Sequence, residues 1–286
     1  MRAAHPKCAF ANEICYEGTV PLRPFLKWPG GKRWFVTRHA DAFPVNFNVY
    51  IEPFLGSGCV YFHLKPKKAI LGDTNGELIS AFRGLRQSWK RATALLDAHQ
   101  ENHGTRHYYT VRNQSPKCIV EKAARLIYLN RACFNGIWRV NQKGEFNVPK
   151  GTRNRILFDT DNFASAAQLL RNATLRVADF EKLIDKAKRS DLVFADPPYT
   201  VQHNLNGFIK YNEKLFSWED QVRLAAALAR ARDRGAYIVS TNANHRSLRK
   251  LYRLHGFRLK SVSRFSSISA TAESRRQFEE LLIVCK

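Results

Sequence analysis

Five short apolar runs, each followed directly by a polar or glycine-containing turn, constrain the fold of this chain more than any other feature. Uninterrupted apolar runs of this length are typical of parallel strands that are buried on both faces. A helix follows the fourth run, with Ser217 as its N-cap, Asp220 completing a capping box and Gly235 at its end. This alternation predicts an α/β fold with a doubly wound, Rossmann-like sheet. The runs lie at residues 49–52, 69–73, 175–179, 192–195 and 236–240.

The middle of the chain differs, because its patterns favour helices separated by turns rich in Gly, Pro and Asn. Residues 141–149 favour a β-hairpin with its turn at Lys143 and Gly144. Residues 257–265 and 279–286 favour a second hairpin that closes the chain. The predicted organisation is an N-terminal arm at 1–24, an α/β domain at 25–80 and 173–286, and an inserted, mostly helical subdomain carrying the first hairpin at 81–172.

The charge of the chain is strongly basic, with 47 Lys and Arg against 24 Asp and Glu and a formal net charge of +23. The excess lies almost entirely in residues 81–173 and 223–276. A basic excess favours a polyanionic partner through counterion release, and two separate basic segments are typical of a nucleic-acid cleft built from two parts of a chain. A generally basic, solvated surface is the alternative.

Cysteine usage and hydropathy exclude several other classes. The 6 cysteines are scattered without a C-x-x-C pair or matching His spacing, so we expect reduced thiols and no metal site. No apolar run is long enough to span a membrane, and residues 1–24 lack the apolar stretch of a signal peptide. We therefore expect a cytoplasmic protein, without membrane contact and monomeric in solution.

The four residues Asp196, Pro197, Pro198 and Tyr199 follow the fourth apolar run and carry the most specific chemical signal. Two consecutive prolines fix the backbone and remove two N–H donors, which leaves carbonyl oxygens available as acceptors. The Asp196 carboxylate and the Tyr199 ring complete a slot that can stack on a flat heterocycle and accept hydrogen bonds from its exocyclic amine. A strand that ends in an ordinary Pro-Pro loop is the alternative.

Glycines and acids follow the other runs at the predicted carboxyl edge of the sheet, where doubly wound folds bind their ligands. Gly56 and Gly58 follow the first run and allow backbone N–H groups to approach a ligand closely. Asp73 ends the second run, where it can accept hydrogen bonds from ribose hydroxyls. Asp179 ends the third run and Phe180 follows it, where they can meet the edge and face of an adenine. These positions predict a nucleotide-like cofactor.

Upstream of the first run, Trp28 and Lys32 flank a glycine pair. The segment is not a P-loop, because Arg33 stands where Ser or Thr would bind magnesium. It could wrap a carboxylate and a cationic or aromatic group of a small ligand, and a plain surface turn is the alternative.

Taken together, these motifs resemble the Dam-type DNA adenine-N6 methyltransferases, the alpha group of the D12 class, in the order in which that family carries them. The resemblance spans about residues 24 to 286. It implies that the α/β domain is a methyltransferase sheet and that 81–172 is a target-recognition subdomain, in an enzyme of a bacterial or phage-infected host cytoplasm. The segments that carry it are 25–32, 52–58, 73–75, 130–139, 143–151 and 196–199.

The resemblance implies S-adenosylmethionine as the methyl donor. Trp28 and Lys32 would line its methionine end, and Asp73 would hold its ribose. Phe54 and Phe180, with the carboxylate of Asp179, would surround its adenine. The full set of cofactor-binding residues implied in this way is Trp28, Lys32, Glu52, Phe54, Gly56, Gly58, Asp73, Asp179, Phe180 and Asp196.

The resemblance also implies a base in double-stranded DNA as the target. Asp196 and the carbonyl of Pro197 would hold the amine of a flipped adenine, and Tyr199 would stack on the base. Phe134 and Asn135 would enter the duplex, Arg139 would read base edges in a GATC-like site, and Asn242 and His245 would close the base pocket. The implied DNA-binding residues are Arg131, Phe134, Asn135, Ile137, Arg139, Asn141 and Pro149.

Two alternatives remain open from the residues. The slot at Asp196 suits any flat amine, so transfer to cytosine N4, or to an amine in RNA or protein, would use the same residues. A nucleic-acid-binding protein with an inactive methyltransferase fold is the second alternative, and intact Asp196, Tyr199 and the Gly56 and Gly58 pair argue against it. Residues 240–245 are a loose version of the family motif, which leaves the details of the base pocket open.

Overall fold

The computed structural model describes residues 22–141, 143–200, 216–265 and 277–285, and within them one seven-stranded sheet forms the centre of the fold. Most of the predicted N-terminal arm lies outside the described residues. In chain order the strands are β1 (Tyr50–Glu52), β2 (Ala69–Asp73), β3 (Ala173–Val177), β4 (Leu192–Ala195), β5 (Tyr237–Ala243), β6 (Arg258–Phe265) and β7 (Gln277–Cys285).

The strands are ordered β3-β2-β1-β4-β5-β7-β6 across the sheet. Strands β1 to β5 pair in parallel, and β7 lies antiparallel between β5 and β6. The chain runs outward from β1 to β3 on one side and then from β4 to β5 on the other, so the topological switch point lies between β1 and β4. The crevice at the carboxyl ends of these two strands is where such a sheet binds ligands. The predicted Rossmann-like α/β sheet is confirmed.

The strand boundaries agree closely with the predicted apolar runs, although not every strand matches at both ends. β2 and β4 begin and end at the predicted residues, and the closing hairpin of β6 and β7 is present. β3 lies two residues earlier than predicted, because Asp179 caps the helix that follows instead of ending the strand. β5 continues to Ala243, since pairing with β7 extends it beyond the apolar run.

Helices cover both faces of the sheet and fill the segment between β2 and β3. In the helix Trp218–Asp233 the predicted capping box is present, with Ser217 and Asp220 bonded reciprocally, and Gly235 adopts a left-handed φ of 88° just after the helix end. The helices are α1 (Arg33–Arg38), α2 (Cys59–Leu64), α3 (Gly76–Gln87), α4 (Trp89–Glu101), α5 (Thr105–Asn113), α6 (Ile119–Ala132), α7 (Phe163–Leu170), α8 (Phe180–Ile184), α9 (Trp218–Asp233) and α10 (Arg246–Leu254), with short 3₁₀ turns at Ala40–Ala42 and Phe134–Gly136.

Two hydrophobic clusters form the core, one on each face of the sheet. Leu192 and Phe194 of β4 belong to one cluster and Val193 to the other, as the alternation of side chains along a strand requires. The first cluster continues without a break into α3 and α6. These two helices approach closely at Gly84, where a Cβ would lie 2.2 Å from the carbonyl oxygen of Ile119.

The predicted division into domains stays a prediction. The residues between β2 and β3 form α3 to α7, and residue 81, the predicted start of the inserted subdomain, lies inside α3. None of the helices in the described part of the chain is both long and apolar enough to cross a membrane. The monomeric state and the cytoplasmic location also stay predictions.

Candidate active site and recognition surface

Asp196 lies directly after β4, at the switch point, and its carboxylate is held from one side. Its Oδ1 atom is 2.8 Å from the Lys32 ammonium and accepts a hydrogen bond of 2.8 Å from the hydroxyl of Thr241. No described residue donates to its Oδ2 atom. One oxygen therefore fixes the orientation of the carboxylate, and the other remains available to a ligand.

Tyr199, three residues later, is held by a second carboxylate. Its hydroxyl donates a hydrogen bond of 2.7 Å to Oε2 of Glu280, a residue of β7. The same oxygen lies 3.6 Å from the Lys32 ammonium, which is 5.0 Å from the centre of the Tyr199 ring. We call Lys32, Asp196, Tyr199, Thr241 and Glu280 the charged cluster.

The charged cluster is nearly closed to water. The side chains of Lys32, Asp196 and Glu280 are 3%, 17% and 5% exposed. Burial raises the pKa of the Asp196 carboxyl, and the neighbouring Lys32 ammonium partly offsets this rise. Burial, together with the charges of Asp196 and Glu280, also raises the pKa of Tyr199 well above its ordinary value, so the hydroxyl stays protonated and donates a hydrogen bond to Glu280.

The turn after β1 forms the neighbouring part of the crevice. Gly56 and Gly58 adopt left-handed φ values of 47° and 67°, which a residue with a Cβ rarely takes. The side chain of Asp73 ties this turn to β2, since its Oδ2 atom accepts the N–H of Gly56 at 3.2 Å and its Oδ1 atom accepts the N–H of Asn75 at 2.9 Å. A Cβ at Gly56 would lie 3.0 Å from the ring of Trp28, so the predicted cofactor residues of the two segments are brought together.

Glu52 is the last residue of β1, and it is buried at the crevice with an incompletely bonded carboxyl group. Its Oε2 atom has no hydrogen-bond partner among the described residues. Burial raises the pKa of this carboxyl well above its ordinary value. An orphaned buried acceptor or donor at this position is what a bound polar ligand would satisfy.

An aromatic cluster lies at the other end of the crevice. Phe54 and Phe180 stack with ring centres 5.4 Å apart, and Phe216 packs against both. Asp179 is the N-cap of α8, accepts the N–H of Glu181 at 3.0 Å and pairs with Arg223. Because Phe54 and Phe180 contact each other, a planar ligand would lie against this cluster and not between the two rings.

The segment after α6 presents apolar side chains to solvent. Phe134 is 51% and Ile137 39% exposed, although both are large hydrophobic residues. Asn135 is exposed between them with a left-handed φ of 54°. Exposed apolar groups on a strained turn are typical of a contact surface, as predicted for these three residues. We call residues 134–149 the recognition arm.

The hairpin of the recognition arm is present as a single bridge between Val140 and Phe146. Arg139 is exposed, and its Nε atom donates to Oδ1 of Asn147 at 2.9 Å. Asn141 closes the turn, with its Oδ1 atom accepting from two backbone N–H groups. Pro149 is exposed and its carbonyl accepts the N–H of Phe134 at 2.9 Å.

Arg131 differs from the other residues predicted to contact DNA, because it is buried. Its guanidinium is 4% exposed, forms a two-point ion pair with Asp161 and donates to the carbonyl oxygens of Phe25 and Ile156. These bonds occupy the N–H groups of the Arg131 guanidinium, which thereby links α6 to the segments around Phe25 and around residues 156–161. Arg131 is therefore not part of the DNA-contacting set that we propose below.

Two links join the recognition arm to the crevice. The buried side chain of Asn130 in α6 accepts the N–H of Lys27 at 2.8 Å and donates to the carbonyl of Lys27 at 2.7 Å and to that of Gly136, in the arm, at 3.2 Å. Trp138 stacks on Trp28 with ring centres 6.4 Å apart and packs on Phe146 at 4.5 Å. The predicted cofactor segment and the recognition arm are therefore in direct contact.

The predicted closure of the base pocket lies close to the charged cluster but with different partners. Asn242 is fully buried and donates to Gln221 at 2.9 Å, and His245 is the N-cap of α10, bonded to Ser247. Thr241, the residue directly before Asn242, is the one that contacts Asp196. The sequence signal that could have identified Thr241 is its place at the carboxyl end of β5, the strand next to β4.

Glu280 was not singled out by the sequence. Two acids, Glu279 and Glu280, precede an apolar run near the end of the chain. Only the register of β7 shows that Glu280 faces the site, whereas Glu279 accepts a hydrogen bond from Asn244.

Comparison with known proteins gives a consistent picture. A family model described as D12 class N6 adenine-specific DNA methyltransferase matches residues 28–268. A type II methyltransferase of Lactococcus lactis subsp. cremoris is 32% identical, over 94% of this chain and 98% of that protein. A type II methyltransferase of Methanocaldococcus jannaschii is 33% identical, over 93% and 99%. A DNA adenine methylase of Haemophilus influenzae is 32% identical, over 92% and 93%.

Proposed function

The chain belongs to the D12 class N6 adenine-specific DNA methyltransferases, and on that premise we propose that it transfers a methyl group from S-adenosylmethionine to N6 of an adenine flipped out of duplex DNA. The observation that carries the proposal is the Asp196 carboxylate at the switch point, with Oδ1 held by Lys32 and Thr241 and Oδ2 without a donor among the described residues. This arrangement suits a fixed acceptor for an amine.

The crevice fits the proposed methyl donor. The left-handed glycines Gly56 and Gly58 leave the turn after β1 without side chains. The orphaned Glu52 oxygen and Asp73 are acceptors for the ribose or amino groups, and the Phe54 and Phe180 pair offers an apolar face to its adenine. When bound, S-adenosylmethionine supplies an electrophilic methyl group on sulfur and leaves as a neutral thioether.

Asp196 acts on the nucleophile. The N6 amine of adenine is weakly nucleophilic because its lone pair is delocalised into the ring. Hydrogen bonds from its two N–H groups to Asp196 Oδ2 and to the carbonyl of Pro197 would return electron density to nitrogen and fix the direction of attack. Positive charge develops on that nitrogen during transfer, and the Asp196 carboxylate stabilises it. The methylated amine is then acidic enough to lose its proton without a dedicated strong base.

Tyr199 and the recognition arm make the base accessible. The edge that carries N6 is paired inside a duplex, so the adenine must leave the stack, and stacking on Tyr199 would offset part of the cost. Phe134 and Asn135 are positioned on an exposed turn that could fill the space left in the duplex. Arg139 would read a guanine, the commonest specific contact of arginine, in a GATC-like site.

Replacing Asp196 tests the mechanism. We expect Asp196→Ala to lower tritiated-methyl transfer to DNA by about 100-fold or more, because an acceptor for the reacting amine is lost. DNA affinity should stay within about twofold, since the residue lies below the DNA-contacting surface. The matched control is Asp159→Ala, which removes an exposed carboxylate that pairs with Arg155.

Two further measurements complete the test. Titration calorimetry with S-adenosylmethionine should show binding to the wild-type protein, and mass analysis of digested DNA should show N6-methyladenine. Unchanged turnover of the Asp196 variant would contradict the mechanism, and N4-methylcytosine as the product would contradict the proposed target.

A further inference from the structure

We propose that Glu280 of β7 is a positioning residue of this active site, whose carboxylate orients the Tyr199 ring and holds Lys32 beside Asp196. The proposal rests on the proposed function, in which Tyr199 stacks on the target base and Asp196 accepts its amine. Glu280 lies outside residues 28–268, the part of the chain that the family model matches.

A single oxygen of Glu280 makes both contacts. Oε2 accepts the Tyr199 hydroxyl at 2.7 Å, a length typical of a charge-assisted bond, and lies 3.6 Å from the Lys32 ammonium. Lys32 in turn is 2.8 Å from Asp196 and lies 5.0 Å from the centre of the Tyr199 ring. Glu280 therefore fixes the hydroxyl end of the ring, while Lys32, held by the same oxygen, lies over the ring. Neither Tyr199 nor Lys32 can shift without breaking a contact to Glu280.

An acid at this position of the sheet is costly unless it has partners. Glu280 lies opposite Ala243 of β5 and Val262 of β6 and precedes the buried Leu281 and Leu282. A carboxylate buried among apolar side chains is tolerated only when it is paired and hydrogen-bonded. Two of its partners, Tyr199 and Lys32, belong to the charged cluster, so the acid serves the site more directly than the packing of the sheet.

Glu280 also prevents Lys32 from neutralising Asp196 completely. The cluster contains one ammonium and two carboxylates, so Lys32 is shared. The negative charge of Glu280 raises the pKa of Asp196, in opposition to Lys32, and burial is the largest cause of the rise. The other groups that face Asp196 are Thr241 and Tyr199, and the buried carboxyl of Glu52 interacts with it across the crevice.

The test compares two replacements of Glu280 across pH. Glu280→Gln keeps an oxygen that can accept the Tyr199 hydroxyl but removes the charge, whereas Glu280→Ala removes both. We expect kcat of Glu280→Gln to stay within about threefold at its plateau, with the acidic limb of the kcat profile moved to lower pH as the pKa of Asp196 falls. We expect kcat of Glu280→Ala to fall by about tenfold or more at every pH, with KM for DNA changed by less than about twofold.

Repeating the Glu280→Ala replacement in a Tyr199→Phe chain tests whether Glu280 acts through the Tyr199 hydroxyl. In Tyr199→Phe the ring is kept and the hydroxyl that Glu280 holds is lost. If Glu280 acts through that hydroxyl, the loss of kcat caused by Glu280→Ala should be at least about threefold smaller in this background than in the wild-type chain. The fluorescence of 2-aminopurine at the target position should show a correspondingly less stable extrahelical base in Glu280→Ala.

The matched control is Glu279→Gln, which changes the neighbouring acid on the opposite face of β7, bonded to Asn244. It should leave kcat and its pH profile unchanged. Thermal unfolding of all variants distinguishes an unfolded protein from a folded one in which Tyr199 and Lys32 are misplaced. If Glu280→Ala does not fold, the pH profile of Glu280→Gln still tests the proposal.

Two results would overturn the proposal. One is an unmoved acidic limb in Glu280→Gln. The other is an equal kcat loss from Glu280→Ala in the wild-type and Tyr199→Phe backgrounds. Failure of the proposed function looks different, because the wild-type protein itself would then place no methyl group on adenine.

Discussion

The charged cluster and the recognition arm differ in how they are built and in how far they are exposed to solvent. The cluster gathers side chains from separate parts of the chain, and Lys32, the cation shared by its acids, is 3% exposed. The recognition arm is one segment of the chain that exposes three apolar side chains, with Phe134 51%, Ile137 39% and Val140 42% exposed. Its hairpin is held by one bridge and a few polar contacts.

On the proposed function, the charged cluster carries out the chemistry and the recognition arm selects the target. In the cluster each charge is buried and depends on its partners, so a single change leaves an uncompensated charge in a low-dielectric environment. In the arm the proposed contacts are exposed and modest, so on the proposed function a change would remove one interaction with the target and leave the rest. We therefore expect variants of the cluster to lose turnover and variants of the arm to lose discrimination.

Replacing Lys32 should have the largest effect. Lys32→Met leaves the carboxylates of Asp196 and Glu280 without their shared cation, so the free energy of unfolding at pH 8 should fall by about 3–5 kcal/mol and methyl transfer should become barely detectable. Because Lys32 normally lowers the pKa of Asp196, that pKa should rise further in the variant. Stability lost at pH 8 should then be partly regained as the pH falls and one carboxyl takes up a proton.

Denaturant titrations at pH 8 and pH 5.5 measure this change. Lys67→Met is the control, since Lys67 is an exposed lysine just before β2, at the opposite edge of the sheet from the crevice. Equal stability of Lys32→Met and the control at pH 8 would show that the ion pairs contribute little.

Replacing Arg139 should leave the cluster intact and alter the choice of target. Arg139→Ala should reduce discrimination between the cognate duplex and single-substituted duplexes by about 1–3 kcal/mol, because a two-point contact to guanine is lost. Its kcat at saturating cognate DNA should stay close to the wild-type value. Competition between duplexes in one methylation assay measures the ratio directly, with the exposed Arg106→Ala as a control for charge alone. Retained discrimination would exclude Arg139 as the reading residue.

The helices that support the recognition arm contain a cluster of histidines around Tyr128. The ring nitrogens of His99 and His107 are 3.0 Å apart, and His103 contacts the Tyr128 hydroxyl at 2.9 Å. Burial, and then the neighbouring His107, lowers the pKa of His99 to about 4. This folded-state pKa lies below the unfolded value of about 6.5. The contribution of neutral His99 to the free energy of unfolding is therefore fully present above about pH 6.5 and is lost as the pH falls towards about 4.

The expected loss is about 1–2 kcal/mol between pH 7 and pH 4.5, after allowing for solvent screening of partly exposed rings. His99→Gln should flatten this dependence, whereas His255→Gln at the end of α10 should not. The same denaturant midpoints at both pH values for the wild-type chain would show that the histidines do not contribute.

The sequence predicts the framework of the site because strand ends are marked twice, by apolar runs and by the acids and glycines that follow them. β2 and β4 are placed to the residue, and with them Asp73 and Asp196 at the crevice. Burial is harder to predict from a motif. Arg131 lies in a segment predicted to contact DNA, yet its side chain points inward to Asp161, thirty positions along the chain.

Glu280 illustrates the other limit. Successive residues of a strand face opposite sides, so a shift of one residue in register would exchange Glu279 and Glu280. Only the observed pairing of β7 with β5 and β6 decides which acid meets Lys32. The pattern of the chain identifies where strands lie, whereas contacts between distant strands depend on register.

Asn141 should show the smallest effect and sharpens the comparison within the arm itself. The resemblance implies that it contacts DNA, but its Oδ1 atom accepts the N–H groups of Lys143 and Glu145 at 2.9 Å each and so closes the turn. Asn141→Ala should therefore loosen the arm by about 0.5–1.5 kcal/mol and lower discrimination less than Arg139→Ala does. The Asn141 amide also donates to the Glu145 carboxylate at 2.9 Å, so Asn141→Asp is made in a Glu145→Gln background, where it keeps the acceptor oxygen and should restore discrimination if the residue acts through the turn. Weaker DNA binding by Asn141→Asp than by Asn141→Ala would instead indicate direct contact, because a carboxylate is repelled by phosphates.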